Sequence, residues 1–190
     1  MGATKKIVLA CEDAQQSSFI SECLRKLSAK KLKRDLYPWI AAREEPNGNV
    51  DSVIKHVKDV EFPAWQSRCP SCATLLVVVA DADTKSIPDR VSCFPSRENS
   101  LLSNLYVIIV PKRNIETWVV LSNGTGVDEI TDYKNAKTTA SDVAKNAASQ
   151  LMEWFLHANR LPSSLANHPV WRTFHDAMEC LKTGLHRIYN

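Results

Sequence analysis

Residues 75–83, LLVVVADAD, decide the fold of this chain. Five consecutive apolar residues rich in β-branched valine are typical of a strand buried on both faces, and such strands belong to parallel sheets. Asp81 and Asp83 follow where this strand should end, and ligands of open α/β sheets bind beyond the carboxyl ends of the strands. Two carboxylates this close repel each other unless a cation lies with them. The stretch therefore predicts a parallel sheet with half of a metal site at its edge.

Two other stretches repeat the pattern of an apolar run followed by an acid. Residues 7–10 (IVLA) are followed by Glu12, and residues 105–110 (LYVIIV) are followed, a helical turn further on, by Glu116. Because neighbouring parallel strands end at the same edge of a sheet, we expect the acids of all three strands to share that edge. Carboxylate oxygens are ligands that Mg²⁺ prefers. The alternative for Glu116 is structural, since an acid in a first helical turn is stabilised by the helix dipole.

Apolar periodicity predicts helices around this sheet. A helix over residues 15–33 follows the first strand, with Ser17 or Ser18 as its N-cap. Residues 36–41 (LYPWIA) are interpreted as an edge strand, because Pro38 cannot donate a ladder hydrogen bond. The other segments are helices over residues 50–60, 141–158 and 169–181, a short helix after Asn114, a loop or short amphipathic helix over 84–100, and irregular chain over 62–71.

Together these elements indicate an α/β fold with a mostly parallel central sheet flanked by helices. Residues 1–140 would form the α/β domain, and residues 141–190 a helical C-terminal extension packed on the same domain. The chain has 190 residues, of which 44% are hydrophobic and 24% charged, as in an ordinary globular domain. We expect no membrane span, because no apolar run approaches the roughly 20 residues that one needs.

Six cysteines in a chain without a secretory signal indicate reduced thiols and a cytoplasmic location. Cys69 and Cys72 have the CxxC spacing of metal knuckles and redox pairs. A structural zinc site needs about four ligands, and no second CxxC is present. Zinc binding, a redox pair and plain free thiols therefore remain three open interpretations.

The acid after the first strand, the helix behind it, and the DxD of Asp81 and Asp83 after a later strand resemble the TOPRIM family, the metal-binding domain of topoisomerases, primases and overcoming-lysogenization-defect nucleases. Residues 110–118, VPKRNIETW, are similar to a segment of small stand-alone TOPRIM-like proteins of prokaryotic defence and mobile loci. The resemblance covers about residues 5–121. It implies a TOPRIM-like fold and a Mg²⁺-dependent nuclease or nucleotidyl-transfer site. It also implies Glu12 as acid/base or metal ligand, Asp81 and Asp83 as metal ligands, and Glu116 as a further ligand or positioning acid.

The expected function is a Mg²⁺- or Mn²⁺-dependent hydrolysis of phosphodiester bonds in DNA or RNA, with Glu12 and Glu116 as catalytic residues. The nucleic-acid backbone would be held by basic residues after the first helix and after the third buried strand, namely Lys30, Lys31, Lys33, Arg34, Lys112 and Arg113. A solvated helix face is the alternative for the first group. The net charge of +3 does not by itself predict binding to a polyanion.

The chain has no GxxxxGK[ST] phosphate loop, so the resemblance to defence-locus proteins suggests a separate ATPase partner. Two further functions stay open, because fold does not fix function. One is a non-catalytic binding or regulatory subunit of an ATPase complex. The other is an enzyme that acts on nucleotides or another small phosphate. A homo-oligomer is compatible with each of them.

Overall fold

A parallel four-stranded sheet forms the centre of the protein in a computed structural model, which describes residues 6–32, 40–44, 49–68, 74–96, 105–124, 127–133 and 141–189. The strands are β1 (Lys6–Cys11), β2 (Ile40–Glu44), β3 (Thr74–Val79) and β4 (Tyr106–Ile109). Their spatial order is β2-β1-β3-β4, and each neighbouring pair is parallel. The structure thereby confirms the three strands predicted from apolar runs and the parallel α/β class.

The described second strand overlaps the end of the predicted strand and continues beyond it. The prediction placed it at residues 36–41, but β2 begins at Ile40, and residues 33–39 are outside the described ranges. β2 pairs with β1 from Ile40 opposite Ile7 to Glu44 opposite Cys11. The pairing with β1 fixes this register, which a short and weakly alternating segment does not fix by itself. The predicted edge position is correct, since β2 ends the strand order.

Helices cover both faces of the sheet and give the protein three layers. In chain order they are α1 (Ala14–Leu32), α2 (Val50–His56), α3 (Phe62–Arg68), α4 (Ile87–Ser92), α5 (Ile115–Leu121), α6 (Ser141–Leu156) and α7 (Pro169–Tyr189). The alternation along β3 separates two cores. Leu75 and Val77 pack with α1, α5, α6 and α7, whereas Leu76 and Val78 pack with α2 and α3.

The direction in which the sheet grows reverses at β1. From β1 the chain crosses to β2 on one side, then returns past β1 to β3 and continues to β4. The connecting helices consequently lie on opposite faces, α1 on one and α2 with α3 on the other. In open α/β sheets, such a reversal opens a crevice at the carboxyl ends of the two strands that flank it. Here those strands are β1 and β3.

Asp13, rather than Ser17 or Ser18, caps α1. Its Oδ1 accepts a hydrogen bond from the backbone N–H of Gln16 at 2.8 Å, and the helix already begins at Ala14. The two serines lie inside the helix, so the predicted caps are wrong. All three side chains are good caps by residue type, and the end of β1 decides which of them stands at the first turn.

A π-helical turn, Val57–Glu61, joins α2 and α3 into one rod. The sequence predicted irregular chain over residues 62–71, but its first seven residues form α3. A proline inside a helix lacks the N–H, and its ring collides with the carbonyl four residues earlier. We attribute the wider π-helical turn to Pro63, which lies two residues after its end. The turn also places Trp65 against the sheet, where its Nε1 donates to the Thr74 carbonyl at 3.0 Å.

The C-terminal helices belong to the same layer as α1. α6 packs along α1, and α7 lies against β3 and β4. The ring of Phe19 in α1 lies 5.9 Å from the Trp118 ring of α5 and 6.3 Å from the Phe174 ring of α7, measured between centroids. α7 also continues past its predicted end at residue 181 to Tyr189. Among the helices that the structure describes, none combines the length and the apolar character needed to cross a bilayer.

Candidate functional site

Glu12 and Asp81 meet at the crevice between β1 and β3. Glu12 follows β1 directly, Asp81 follows β3, and the two residues are only 6% and 3% exposed. Glu12 Oε1 accepts a hydrogen bond from the backbone N–H of Asp81 at 2.8 Å. Parallel strands with neighbouring carboxyl ends thus bring together two acids that are 69 residues apart in the sequence.

Gln16 links the two acids, and the sequence analysis missed it. Its Oε1 accepts from the backbone N–H of Glu12 at 3.0 Å, and its Nε2 donates to Asp81 Oδ1, also at 3.0 Å. Gln16 is buried, and a buried hydrogen-bonded network of this kind restricts the orientation of the groups in it. The signal that could have found Gln16 is the helix-start pattern of Asp13 followed three residues later by a glutamine.

The beginning of α5 supplies the next part of the site. The backbone N–H of Ile115 donates to Asp81 Oδ1 at 3.1 Å, so this one oxygen accepts hydrogen bonds from both Ile115 and Gln16. Asn114 caps the helix, because its Oδ1 accepts from the backbone N–H of Thr117 at 3.2 Å. Glu116 is buried in the first turn, next to the residue that holds Asp81. At this position Glu116 can act as an acid of the site, and its negative charge is also stabilised by the dipole of α5.

Asp83 is the least buried of the four predicted acids. Its side chain is 39% exposed, and its Oδ2 lies 3.3 Å from Nη2 of Arg90, a buried arginine of α4. Its backbone has a left-handed φ of 53°, which aspartate tolerates better than most residues. The backbone N–H of Asp83 donates to the Arg113 carbonyl at 2.9 Å, which ties this turn to the chain after β4. A buried guanidinium needs a carboxylate partner, and in this structure Asp83 is the carboxylate that pairs with Arg90.

The predicted acids do not form a complete metal cage. Within the ranges that the structure describes, no three His, Cys, Asp or Glu side chains are grouped so that they could hold a metal ion. Mg²⁺ does not require such a cage, because it is usually bound by one or two carboxylates, with waters and phosphate oxygens as its other ligands. Asp81 Oδ1 accepts two hydrogen bonds, one from Gln16 Nε2 and one from the backbone N–H of Ile115. Glu12 and Asp81 therefore fit a magnesium ion by donor type and by position.

Two of the predicted nucleic-acid contacts can be located. Lys112 and Arg113 are partly exposed in the chain that follows β4, and Arg113 Nη2 is 3.9 Å from Asp132 Oδ2. They place positive charge beside the edge that carries Asp81 and Asp83. The other predicted contacts lie outside the described part of the chain, which gives no side-chain placement for Lys30 and Lys31 and does not include Lys33 and Arg34.

Cys69 and Cys72 also lie outside the described ranges, so the zinc, redox and free-thiol interpretations stay predictions.

Cys23 of α1 lies in the core. Its burial, together with the negative charge of the neighbouring Glu22, raises the pKa of its thiol well above the usual value. A thiol of this kind is protonated at neutral pH and unsuited to nucleophilic chemistry.

Comparison of the chain with protein-family models, with curated protein sequences and with solved structures finds no match.

Proposed function

We propose that this protein is a Mg²⁺-dependent, TOPRIM-like hydrolase of nucleic-acid phosphodiester bonds. The observation that supports the proposal best is the contact between Glu12 and Asp81 at the crevice between β1 and β3. Two buried carboxylates in contact with the same turn are costly without a compensating charge, and functional sites commonly carry such a cost. Lys112 and Arg113 at the same edge favour a phosphate-containing substrate.

Glu12 and Asp81 would hold the ion, which when bound would polarise a phosphoryl oxygen and lower the pKa of a nearby water. Glu12 is positioned as the acid/base, because the bond from the Asp81 backbone N–H to Oε1 fixes its carboxylate. The Glu12 carboxylate would take the proton of the water that attacks phosphorus. The bond from phosphorus to the leaving oxygen breaks as the new P–O bond forms. Because the leaving oxygen departs on the side opposite the attacking water, a solvent water would give it a proton, and Glu12 would return its own proton to solvent. Glu116 would act as a further positioning acid.

The test uses variants that keep the hydrogen bonds of the site. Asp81→Asn retains an Oδ1 that can accept from Gln16 and Ile115, and Glu12→Gln retains an Oε1 that can accept from the Asp81 backbone. Cleavage of labelled DNA and RNA with Mg²⁺ or Mn²⁺ should fall at least about 100-fold in both variants, the scale of lost acid–base catalysis. Asp176→Asn, at a side chain 83% exposed on α7, is the matched control and should cleave like the wild type.

Binding of Mn²⁺, followed by calorimetry or electron paramagnetic resonance, gives a readout independent of cleavage. It should be strong in the wild type and in Asp176→Asn, and weakened in Asp81→Asn. Cleavage by the wild type in EDTA, or full activity of Asp81→Asn, would contradict the proposed site.

A second candidate is a non-catalytic binding or regulatory subunit that works with a separate ATPase. The observation that favours it is the structural use of both acids. Asp81 Oδ1 holds Gln16 and the start of α5, and Glu12 Oε1 holds the turn after β3. If no nucleic acid, nucleotide or other small phosphate is cleaved with any divalent metal, with or without an added ATPase partner, this candidate replaces the hydrolase.

Under either candidate, we propose that the protein acts in the cytoplasm of a prokaryotic cell, in a defence system.

A further inference from the structure

A polar pocket of about 220 Å³ lies between α1 and α6, beside the site just described. Its lining consists of hydroxyl and charged side chains: Ser17, Ser18, Ser21, Glu22, Arg25 and Lys145. We call it the serine pocket. It begins at the residue after Gln16, which links Glu12 to Asp81. The pocket and the candidate site therefore share the first turns of α1.

The serine hydroxyls of this pocket differ from those of other helical serines in the described residues. Serines inside helices commonly bond back to a carbonyl of the preceding turn, as Ser28 does to the Arg25 carbonyl at 2.8 Å and Ser67 to the Ala64 carbonyl at 2.9 Å. Within the part of the chain that the structure describes, the hydroxyls of Ser17, Ser18 and Ser21 make no hydrogen bond. Three donors on neighbouring positions of α1 consequently line the pocket and remain available to a ligand.

The charged side chains of the pocket leave a net positive charge. Glu22 and Arg25 form a two-pronged pair, with Nε at 2.7 Å and Nη2 at 2.6 Å from the two carboxylate oxygens. This pair cancels in charge and holds the guanidinium plane in place. Lys145 lies 3.8 Å from Asp142, whose side chain is 92% exposed, and a pair so open to water is weak. The lysine ammonium is therefore the charge that a ligand in the pocket would meet.

We propose that the serine pocket binds a phosphate group of the nucleic-acid strand, next to the phosphate that is cleaved. An ammonium with several hydroxyl donors is the chemistry that contacts phosphate oxygens without reading the bases. The identity of the strand rests on the proposed function, but the pocket itself does not.

The test measures binding in EDTA, where no metal-dependent cleavage takes place. A fluorescein-labelled single-stranded DNA of mixed sequence is titrated with the full-length protein at several salt concentrations, and anisotropy gives the Kd. Lys145→Ala should weaken binding about five- to tenfold and lower the slope of log K against log salt by about 0.7, as for one lost phosphate contact. The double variant Ser18→Ala, Ser21→Ala should weaken binding about three- to fivefold with an unchanged slope, because it removes no charge.

Lys55→Ala is the matched control, since Lys55 is exposed on α2, which packs on the opposite face of the sheet. It should alter neither the affinity nor the slope. Equal losses for Lys145→Ala and Lys55→Ala, or no binding by the wild type at low salt, would overturn the pocket. Normal cleavage by the wild type, together with unchanged DNA binding by Lys145→Ala, would contradict phosphate binding by the pocket and leave the hydrolase proposal standing. DNA binding that depends on Lys145, without any cleavage, would contradict the hydrolase proposal and leave the pocket standing.

Discussion

Replacing Asp81 by alanine or by asparagine tests the hydrogen bonds on which the whole site depends. Alanine removes the acceptor of two donors, Gln16 Nε2 at 3.0 Å and Ile115 N at 3.1 Å, in a place where Asp81 is only 3% exposed. A buried donor without an acceptor costs about 1–3 kcal/mol, so Asp81→Ala should lower the free energy of unfolding by about 2–6 kcal/mol. Asparagine keeps an oxygen for both donors and should cost less than about 1.5 kcal/mol.

The assay is urea unfolding of the metal-free protein, with tryptophan fluorescence and circular dichroism as the two probes. A gap of about 3 kcal/mol between the variants corresponds to a difference in Tm of about 6–12 °C for a chain of this size. Asp176→Ala, at an exposed position of α7, should remain within about 0.5 kcal/mol of the wild type. Equal stability of the alanine and asparagine variants would refute the reasoning. If both resembled the wild type, the two bonds would contribute nothing, and if both were destabilised, the charge and not the acceptor would matter.

Three further predictions concern the N-cap of α5, the carboxyl of Asp128 and the accessibility of two cysteine thiols. Asn114→Ala removes the N-cap of α5 and should cost about 1–2 kcal/mol in urea unfolding, whereas Asn114→Asp, which keeps an acceptor oxygen, should cost less. Asp128 accepts hydrogen bonds from the backbone and side chain of Thr131, which lower its pKa, so its stabilising effect is present above the unfolded pKa of about 3.9 and is lost as the pH falls through the lower folded pKa. Thr131→Ala keeps the backbone donor and removes the hydroxyl, so the pKa of the Asp128 carboxyl, followed by NMR, should rise part of the way back; an unchanged titration would contradict the contribution of the hydroxyl. Iodoacetamide at neutral pH should label the exposed Cys180 and leave Cys23 unlabelled until the protein unfolds, as read by peptide mass spectrometry.

The central strands could be predicted from the sequence because strands buried on both faces require unbroken apolar runs. β1, β3 and β4 fall where such runs lie, and their parallel pairing brings the chain after β1 next to the chain after β3. The meeting of Glu12 and Asp81 follows from that geometry alone. β2 continues past its predicted end at residue 41 to Glu44, since an edge strand faces fewer packing requirements and leaves a weaker pattern.

The residues that orient the acids could not be predicted in the same way. Gln16 acquires its role from Asp81, which is 65 residues away, and Arg90 acquires its role from the turn that holds Asp83. An amide or a guanidinium has no periodic signature, because its effect depends on the partner that the fold brings to it. The prediction of the α1 cap failed for a related reason. Ser17 and Ser18 have side chains as suitable for capping as that of Asp13, and only the end of β1 shows that Asp13 occupies the cap position.

The π-helical turn before Pro63 makes the number of residues in this rod as important as their identity. Successive side chains of an α-helix are about 100° apart, so a chain shortened by one residue within Val57–Glu61, with the geometry of the turn kept, would present Gln66 to the sheet in place of Trp65. The indole packs against the rings of Phe62 and Tyr106, at centroid distances of 5.5 and 5.7 Å. Such a deletion would empty that space, whereas exposed positions of the turn can change residue type with little effect on packing. Over this segment, evolution can therefore accept substitutions far more readily than changes in length.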